Sequence, residues 1–464
     1  FFTLVDAGSA QDPMRATGLA HMFEHMAFKG TDTIGTTDYA AEKVALEKVE
    51  VAYAAYIAER DKSVGQDAAK LKELEKAWRD AIAEADKYVK SNEFGKIVEQ
   101  NGGEDMNAFT NYDETAYHYS FPTNRLELWA YLESDRFVHP VMREFYKERN
   151  VVIEERRMRT DSNPFGRLLE QFTEEAFAAH PYHRPTIGWI SDLNHFSATD
   201  AQNFFDKYYI PANMVVAVAG DVKASEAMPI LEKYFGRIPA RPHPDEATTT
   251  EPPQNSERRV ILKDASQPLY IEGYHRPDYR SKDDAVFDAI TDLMSEGRTS
   301  RLYRALVRDK KIASYAEGIT GYPGIKYPHL FAFIAVPLPG HKPEEMADAI
   351  HAEIDRLKKE DISDDELKMI KTRSKAGLIR GLADNEGLAT QLATYQTRYG
   401  DWRELFRSVD RIDQVTKADI RRVANEVFTD TNRTVGIIEN SHGAGGSPGG
   451  EQPSGGSADQ GGAQ

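Results

Sequence analysis

The sequence predicts an α+β fold in two domains, the first carrying an inserted helical hairpin. Three observations lead there. Helix-like and strand-like stretches are mixed without regular βαβ spacing. A Pro-rich stretch near the middle separates two halves that open in the same order. One long run in the first half repeats apolar residues at three-four spacing with no strand signal inside it.

A chain of 464 residues is too long for one ordinary core and should divide into domains. Its 40% hydrophobic and 29% charged residues are globular composition. The longest apolar runs, such as Met214 to Ala219, fall far short of a bilayer, so no membrane span is expected. A net charge of -17 without a basic block argues against nucleic acid or an anionic membrane as partner. The absence of cysteine excludes a disulfide frame or a thiolate metal site, leaving His, Asp and Glu as the only metal ligands. The opening Phe1-Phe2-Thr3-Leu4-Val5 reads as a strand already under way, so any signal peptide is expected to have been cut off.

Residues 1–9 read as a strand ending at a turn, and Thr17 to Phe28 as a helix closed by Gly30. From about Thr37 to Asn92 two helical arms follow. Leu46, Val49, Tyr53 and Tyr56 mark the first, Leu71, Leu74, Trp78, Ala81, Ala85 and Val89 the second, and Asp61 to Gly65 separates them. A near balance of Lys and Glu makes this a solvated, projecting hairpin, an insertion at about 45–95. Strands are expected at Asn107–Tyr112 and Thr115–Phe121, helices at Arg125–Arg136 and Pro140–Asp161, and a buried strand at Met214–Gly220. The first domain is therefore assigned to 1–235. Five prolines and a Thr triplet mark a linker at 236–256. The second domain, 257–440, opens with strands at Arg259–Lys263 and Leu269–Tyr274 and a helix at Asp283–Ser295. Ala285 to Gly297 stands where Thr17 to Gly30 stands in the first half, without the histidines, which hints at a degenerate duplication. Residues 441–464, rich in Gly, Ser, Gln and Pro, should be a disordered tail.

The first helix carries His21-Met-Phe-Glu24-His25. Residues four apart share a helix face, so both imidazoles can reach one ion, and Glu24 can reach a water beside it. The same pattern is also compatible with an amphipathic helix bearing polar residues on one side. A catalytic zinc needs a third protein ligand, which must come from elsewhere in the chain. In Glu148-Arg-Asn-Val-Val-Ile-Glu154-Glu155, Glu148 and Glu155 are seven apart, two turns along one face.

Together the two motifs resemble the M16 peptidase family, the inverted zinc peptidases that include pitrilysin, insulin-degrading enzyme and the mitochondrial processing peptidase. The resemblance implies two homologous domains of that type, each a mostly antiparallel sheet packed with helices. It implies that His21, His25 and Glu155 hold one Zn2+ per chain, that Glu24 is the general base and that Glu148 orients the ligands. Glu154 is the competing ligand, and Glu155 is preferred because the motif ends on it in phase with Glu148. Gly103 and the run Asn107-Ala108-Phe109-Thr110 resemble the family's edge strand, where a peptide substrate adds as a further strand. His180-Pro-Tyr182, Thr186-Ile-Gly188 and Tyr208 to Asn213 match as packing and turn landmarks. The His25 to Glu155 gap is much longer than the family's, and the hairpin accounts for the excess.

In the second half Arg308 and Tyr315 stand seven apart, as do the family's Arg and Tyr that bind substrate and stabilise its oxyanion. A surface Arg and a core Tyr at a helix-to-strand junction is the plainer account of them. The family implies a zinc endopeptidase acting on unstructured peptides in a closed chamber, working as a homodimer or as a heterodimer with a related subunit. Bacterial relatives of this type imply an exported, periplasmic address. A non-catalytic M16-like structural or peptide-holding subunit and another kind of zinc hydrolase are the rival readings.

Overall fold

The computed structural model describes residues 1–440, and the tail expected at 441–464 lies outside the described residues. Along the first part of the chain run β1 (Phe2–Val5), α1 (Leu19–Met26), α2 (Tyr39–Arg60), α3 (Ala68–Ala85), α4 (Glu93–Gln100), β2 (Glu104–Thr110), β3 (Thr115–Ser120), α5 (Leu126–Val138) and α6 (Phe145–Arg156). Then come α7 (Pro164–Ala176), α8 (Ile190–Leu193), α9 (Ala198–Tyr208), β4 (Met214–Ala217) and α10 (Ala224–Phe235). The remainder comprises β5 (Arg258–Asp264), β6 (Leu269–Arg276), α11 (Asp284–Ser295), β7 (Ala313–Tyr322), β8 (His329–Pro337), α12 (Pro343–Lys359), α13 (Asp364–Gly381), α14 (Asn385–Tyr399), α15 (Glu404–Gln414), α16 (Lys417–Val427) and β9 (Arg433–Asn440). Among the described residues, no helix is long and apolar enough to cross a membrane.

Contacts divide the chain into two units, the first made of 1–156 and 185–246, the second of 157–184 and 247–440. In the first unit the sheet order is β2-β3-β1-β4, all antiparallel. In the second it is β5-β9-β6-β8-β7, antiparallel except for the parallel β5 and β9 pair. Reading β7-β8-β6-β9 beside β2-β3-β1-β4 gives one strand order twice, with α1 and α11 following the equivalent strands. The α+β fold class holds, and β5 is the addition that has no counterpart among the described residues of the first sheet.

Three expectations change. The contacts assign 157–184 to the second unit, although the first domain was expected to run unbroken to 235. The cause is α7, whose Phe172 packs where Gly273 and Gly436 carry no side chain; a Cβ on either would come within 2.9 Å and 3.2 Å of that ring. Glu251, from the Pro-rich stretch, adds to this by accepting from the backbone N–H groups of Ala178, Ala179 and His180. Second, Met214–Gly220 is not a buried strand. β4 ends at Ala217 and is half-buried throughout, because it closes one end of its sheet.

Third, the hairpin is rooted rather than simply projecting, and it begins at Tyr39. Ala45, Val49, Tyr53 and Ala85 are buried in the same core as α1 and α6. Tyr53 and Trp78 pack around Tyr146 of α6, the first tilted and the second edge-on, at ring separations of 4.5 and 5.1 Å. Arg149 donates to the Tyr53 hydroxyl at 2.6 Å and lies over the Tyr53 and Tyr146 rings. Tyr146 in turn donates to Glu50 at 2.6 Å. The turn region 61–70 is exposed, as a charged arm should be.

Candidate metal centre

Helix α1 is short, and its position is fixed from outside. The Asp12 carboxylate accepts from the N–H groups of Gly18 and Ala20 at 2.7 and 2.9 Å, satisfying donors that the helix start leaves unpaired. Thr17 donates to Asp192 at 2.7 Å and accepts from the Trp189 N–H. Gly18, at φ 92°, and Gly188, at φ 82°, lie against each other's backbone; a Cβ on Gly188 would sit 2.2 Å from the Thr17 carbonyl oxygen. That close approach requires glycine at both positions. At the other end Arg143, fully buried, pairs with Glu42 at 2.7 and 2.9 Å and donates to the carbonyls of Lys29, Thr31 and Ile34. One guanidinium thus ties the loop after α1 to the first turn of α2.

Fixed in this way, α1 directs His21 and His25 toward α6. His21 Nε2 is 3.7 Å from one Glu155 oxygen, and His25 Nε2 is 3.5 Å from the other. The donor atoms of all three lie within 4.8 Å of one another, the one such group of three among the described residues. Tetrahedral zinc with ligands at about 2.0–2.2 Å separates neighbouring donor atoms by about 3.3 Å, so the spacing fits an ion seated between them. Charge fits as well. Burial opposes protonation of His25, but its bond to Glu155 and the charges of Glu24, Glu155 and Glu148 outweigh it and raise its pKa. A field that favours imidazolium also favours a divalent cation in the same place.

Glu24, on the same helix, accepts a 2.6 Å hydrogen bond on Oε2 from the Thr110 hydroxyl. Glu148 is nearly buried and pairs with Lys29 at 2.8 Å; the structure gives it this partner at the end of α1 in addition to its field on His25. Glu154 is exposed and stands outside the group. Asn107, Ala108 and Phe109 lie on β2, the end strand of its sheet, facing His118, Tyr117 and Ala116 of β3. An irregularity between Glu104 and Asn107, with Asp105 at φ 54°, sets the phase of that strand. Ala108 then packs into the core containing α1, and Thr110, two residues on, shares its face.

In the second unit Arg308 is in a widened helical turn, exposed and paired with Asp309 at 2.6 Å. Tyr315 stands on β7 and is 46% exposed, so it is not a core residue. Thr110 and Lys29 carry no assigned role in the sequence reading. Thr110 was visible only as part of the edge-strand run, and Lys29 as the charge four residues after His25.

Residues 3–75 and 81–189 match the family model described as Insulinase (Peptidase family M16), and residues 195–374 that described as Peptidase M16 inactive domain. The chain is similar to the zinc protease PqqE of Helicobacter pylori, 30% identical over 444 residues that span 94% of this chain and 86% of that protein. It is similar in structure to a crystallised protease from Helicobacter pylori, with a TM-score of 0.78, 28% identity, and 94% and 92% of the two chains covered. The periplasmic protease PqqL from Escherichia coli matches at a TM-score of 0.68 and 18% identity, over 95% of this chain and 45% of that one, a likeness of fold alone.

Proposed function

The chain belongs to peptidase family M16, and from that premise we propose that it is a zinc-dependent endopeptidase hydrolysing unstructured peptides. The observation that carries the proposal is the meeting of His21, His25 and Glu155 at donor spacing, with Glu24 one residue from the second histidine. These three side chains would hold one Zn2+ per chain. Bound there, zinc supplies Lewis acidity, polarising the scissile carbonyl and making a water easier to deprotonate. Glu24 takes the proton from the attacking water and returns it to the leaving amine. Glu148, tied to Lys29, holds α6 and the end of α1 in register. The peptide lies extended along β2 beside Asn107, Ala108 and Phe109, where main-chain pairing accepts many sequences. Arg308 and Tyr315, exposed on the second unit, are assigned to the carbonyl oxygen as charge builds on it, either within one chain or across a dimer.

The resemblance further supports work in a closed chamber, pairing as a homodimer or with a related M16 subunit, and a periplasmic or otherwise exported address. The decisive variant is Glu24→Gln. Zinc content measured by atomic absorption should be unchanged while hydrolysis of a mixed-peptide digest falls by about 10²- to 10⁴-fold. Full activity in that variant would remove Glu24 from its role. A chain that binds no zinc would remove the whole reading.

A further inference from the structure

We propose that Thr110 is the positioning residue for the general base, a reading that rests on the assignment of Glu24 above. The Thr110 hydroxyl reaches Glu24 Oε2 at 2.6 Å, a short bond of the kind made to an ionised acceptor. The direction of this bond follows from counting protons. An ionised carboxylate only accepts, so the single Thr110 hydroxyl hydrogen goes to Glu24. Thr115, whose hydroxyl is 3.3 Å from that of Thr110, donates its own hydrogen to the Ala7 carbonyl at 2.9 Å. The Thr115 oxygen is then only an acceptor toward Thr110, and the Glu24 carboxylate, closer at 2.6 against 3.3 Å and charged, is the stronger acceptor for the Thr110 hydrogen.

The threonine is itself fixed by the sheet. It pairs with Thr115 in the register of β2 and β3, and β3 pairs with β1, the strand that leads to α1. A glutamate on a helix surface ordinarily samples several rotamers, and one strong bond to Oε2 selects among them and turns the carboxylate plane. The strand proposed to receive the peptide and the group that orients the base are then the same element. Placement of the base is referred to the frame in which the substrate lies, rather than to helix α1 alone, which a catalyst needs when small misplacements are costly.

The test compares Thr110→Val, which keeps shape and removes the hydroxyl, with Thr110→Ser, which keeps the hydroxyl and removes the methyl group. Each is measured for zinc affinity by chelator competition, for thermal stability, and for kcat and KM on one peptide. Thr110→Val should lower kcat about ten- to a hundred-fold with KM and zinc affinity unchanged, and Thr110→Ser should recover kcat to within about three-fold. In a Glu24→Gln background Thr110→Val should have no further effect, since the threonine acts through that side chain. Wild-type kcat in Thr110→Val, equal damage in the Val and Ser variants, or an additive double variant would each overturn the proposal. Failure of the underlying assignment shows separately, as wild-type activity in Glu24→Gln alone.

Discussion

Glu154 and Glu155 are chain neighbours on α6 with different surroundings. Glu155 lies on the side that carries Glu148 and the fully buried Val152 toward α1, and Glu154 is turned to solvent. If only Glu155 serves as the third ligand, Glu155→Gln should weaken zinc binding by more than the roughly hundred-fold that loss of a supporting residue costs, and Glu154→Gln should leave it unchanged. Chelator competition on the two purified variants measures both; equal affinities would sink the assignment. This much was legible, because helical phase is local: seven residues are two turns wherever the helix lies. The Lys29 partner of Glu148 and the Thr110 partner of Glu24 were not. The first depends on the loop that Arg143 gathers, the second on a strand register 86 residues from the helix it touches.

At the scale of elements, the hairpin of α2 and α3 braces the helix that carries Glu148 and Glu155. Its two arms were legible from their three-four spacing, but its rooting was not. Partners of Tyr53 and Trp78 include Tyr146, Arg149 and the backbone at His195, 68 to 142 residues further on, and no periodicity encodes such contacts. The anchor with most at stake is Arg143 with Glu42, at 1% and 0% side-chain exposure. Arg143→Met strands a buried carboxylate and removes the donor from three loop carbonyls, which should cost about 3–5 kcal/mol. Arg79→Met, on the exposed Arg79 and Glu75 pair of α3, should change little, because such pairs are solvated and contribute almost nothing. Urea unfolding followed by tryptophan fluorescence suits the comparison, since Trp78, Trp129 and Trp189 all lie in the first unit. Equal midpoints for the two variants would show that Arg143 and Glu42 are not the anchor described.

Over the whole molecule, one strand order occurs twice while the histidine pair of the first copy's helix is absent from the equivalent helix of the second. The repeat was legible because Ala285 to Gly297 stands where the histidine helix stands in the first half; the contacts of 157–184 with the second unit were not, because the hollow that receives Phe172 is defined by the absence of side chains at Gly273 and Gly436. The second unit instead buries two histidines. Burial lowers the pKa of His180 to about 4, against the pull of Glu251, and that of His329 to about 3, with Arg276 adding to the effect. Each uses Nδ1, His180 accepting from the Tyr182 N–H and His329 donating to the Tyr327 carbonyl. The sign follows from linkage. Above pH 6.5 both states are neutral and the stabilisation is complete; as pH falls toward 4 the unfolded chain takes up protons that the folded chain refuses, and stability is lost. Asp292 on α11, raised by burial to about 6, changes stability in the opposite sense over the same range, so the wild-type curve alone does not isolate the histidines. Asn substitutions do, because the Asn side chain offers an acceptor or a donor near the Nδ1 position and does not titrate. Between pH 6 and 4.5, His180→Asn and His329→Asn should each reduce the acid-induced loss of stability by about 1.4 kcal/mol per pH unit relative to wild type. Urea unfolding by circular dichroism at several pH values gives that slope. A variant with the wild-type slope would mean that its histidine takes up its proton in the folded protein as readily as in the unfolded chain.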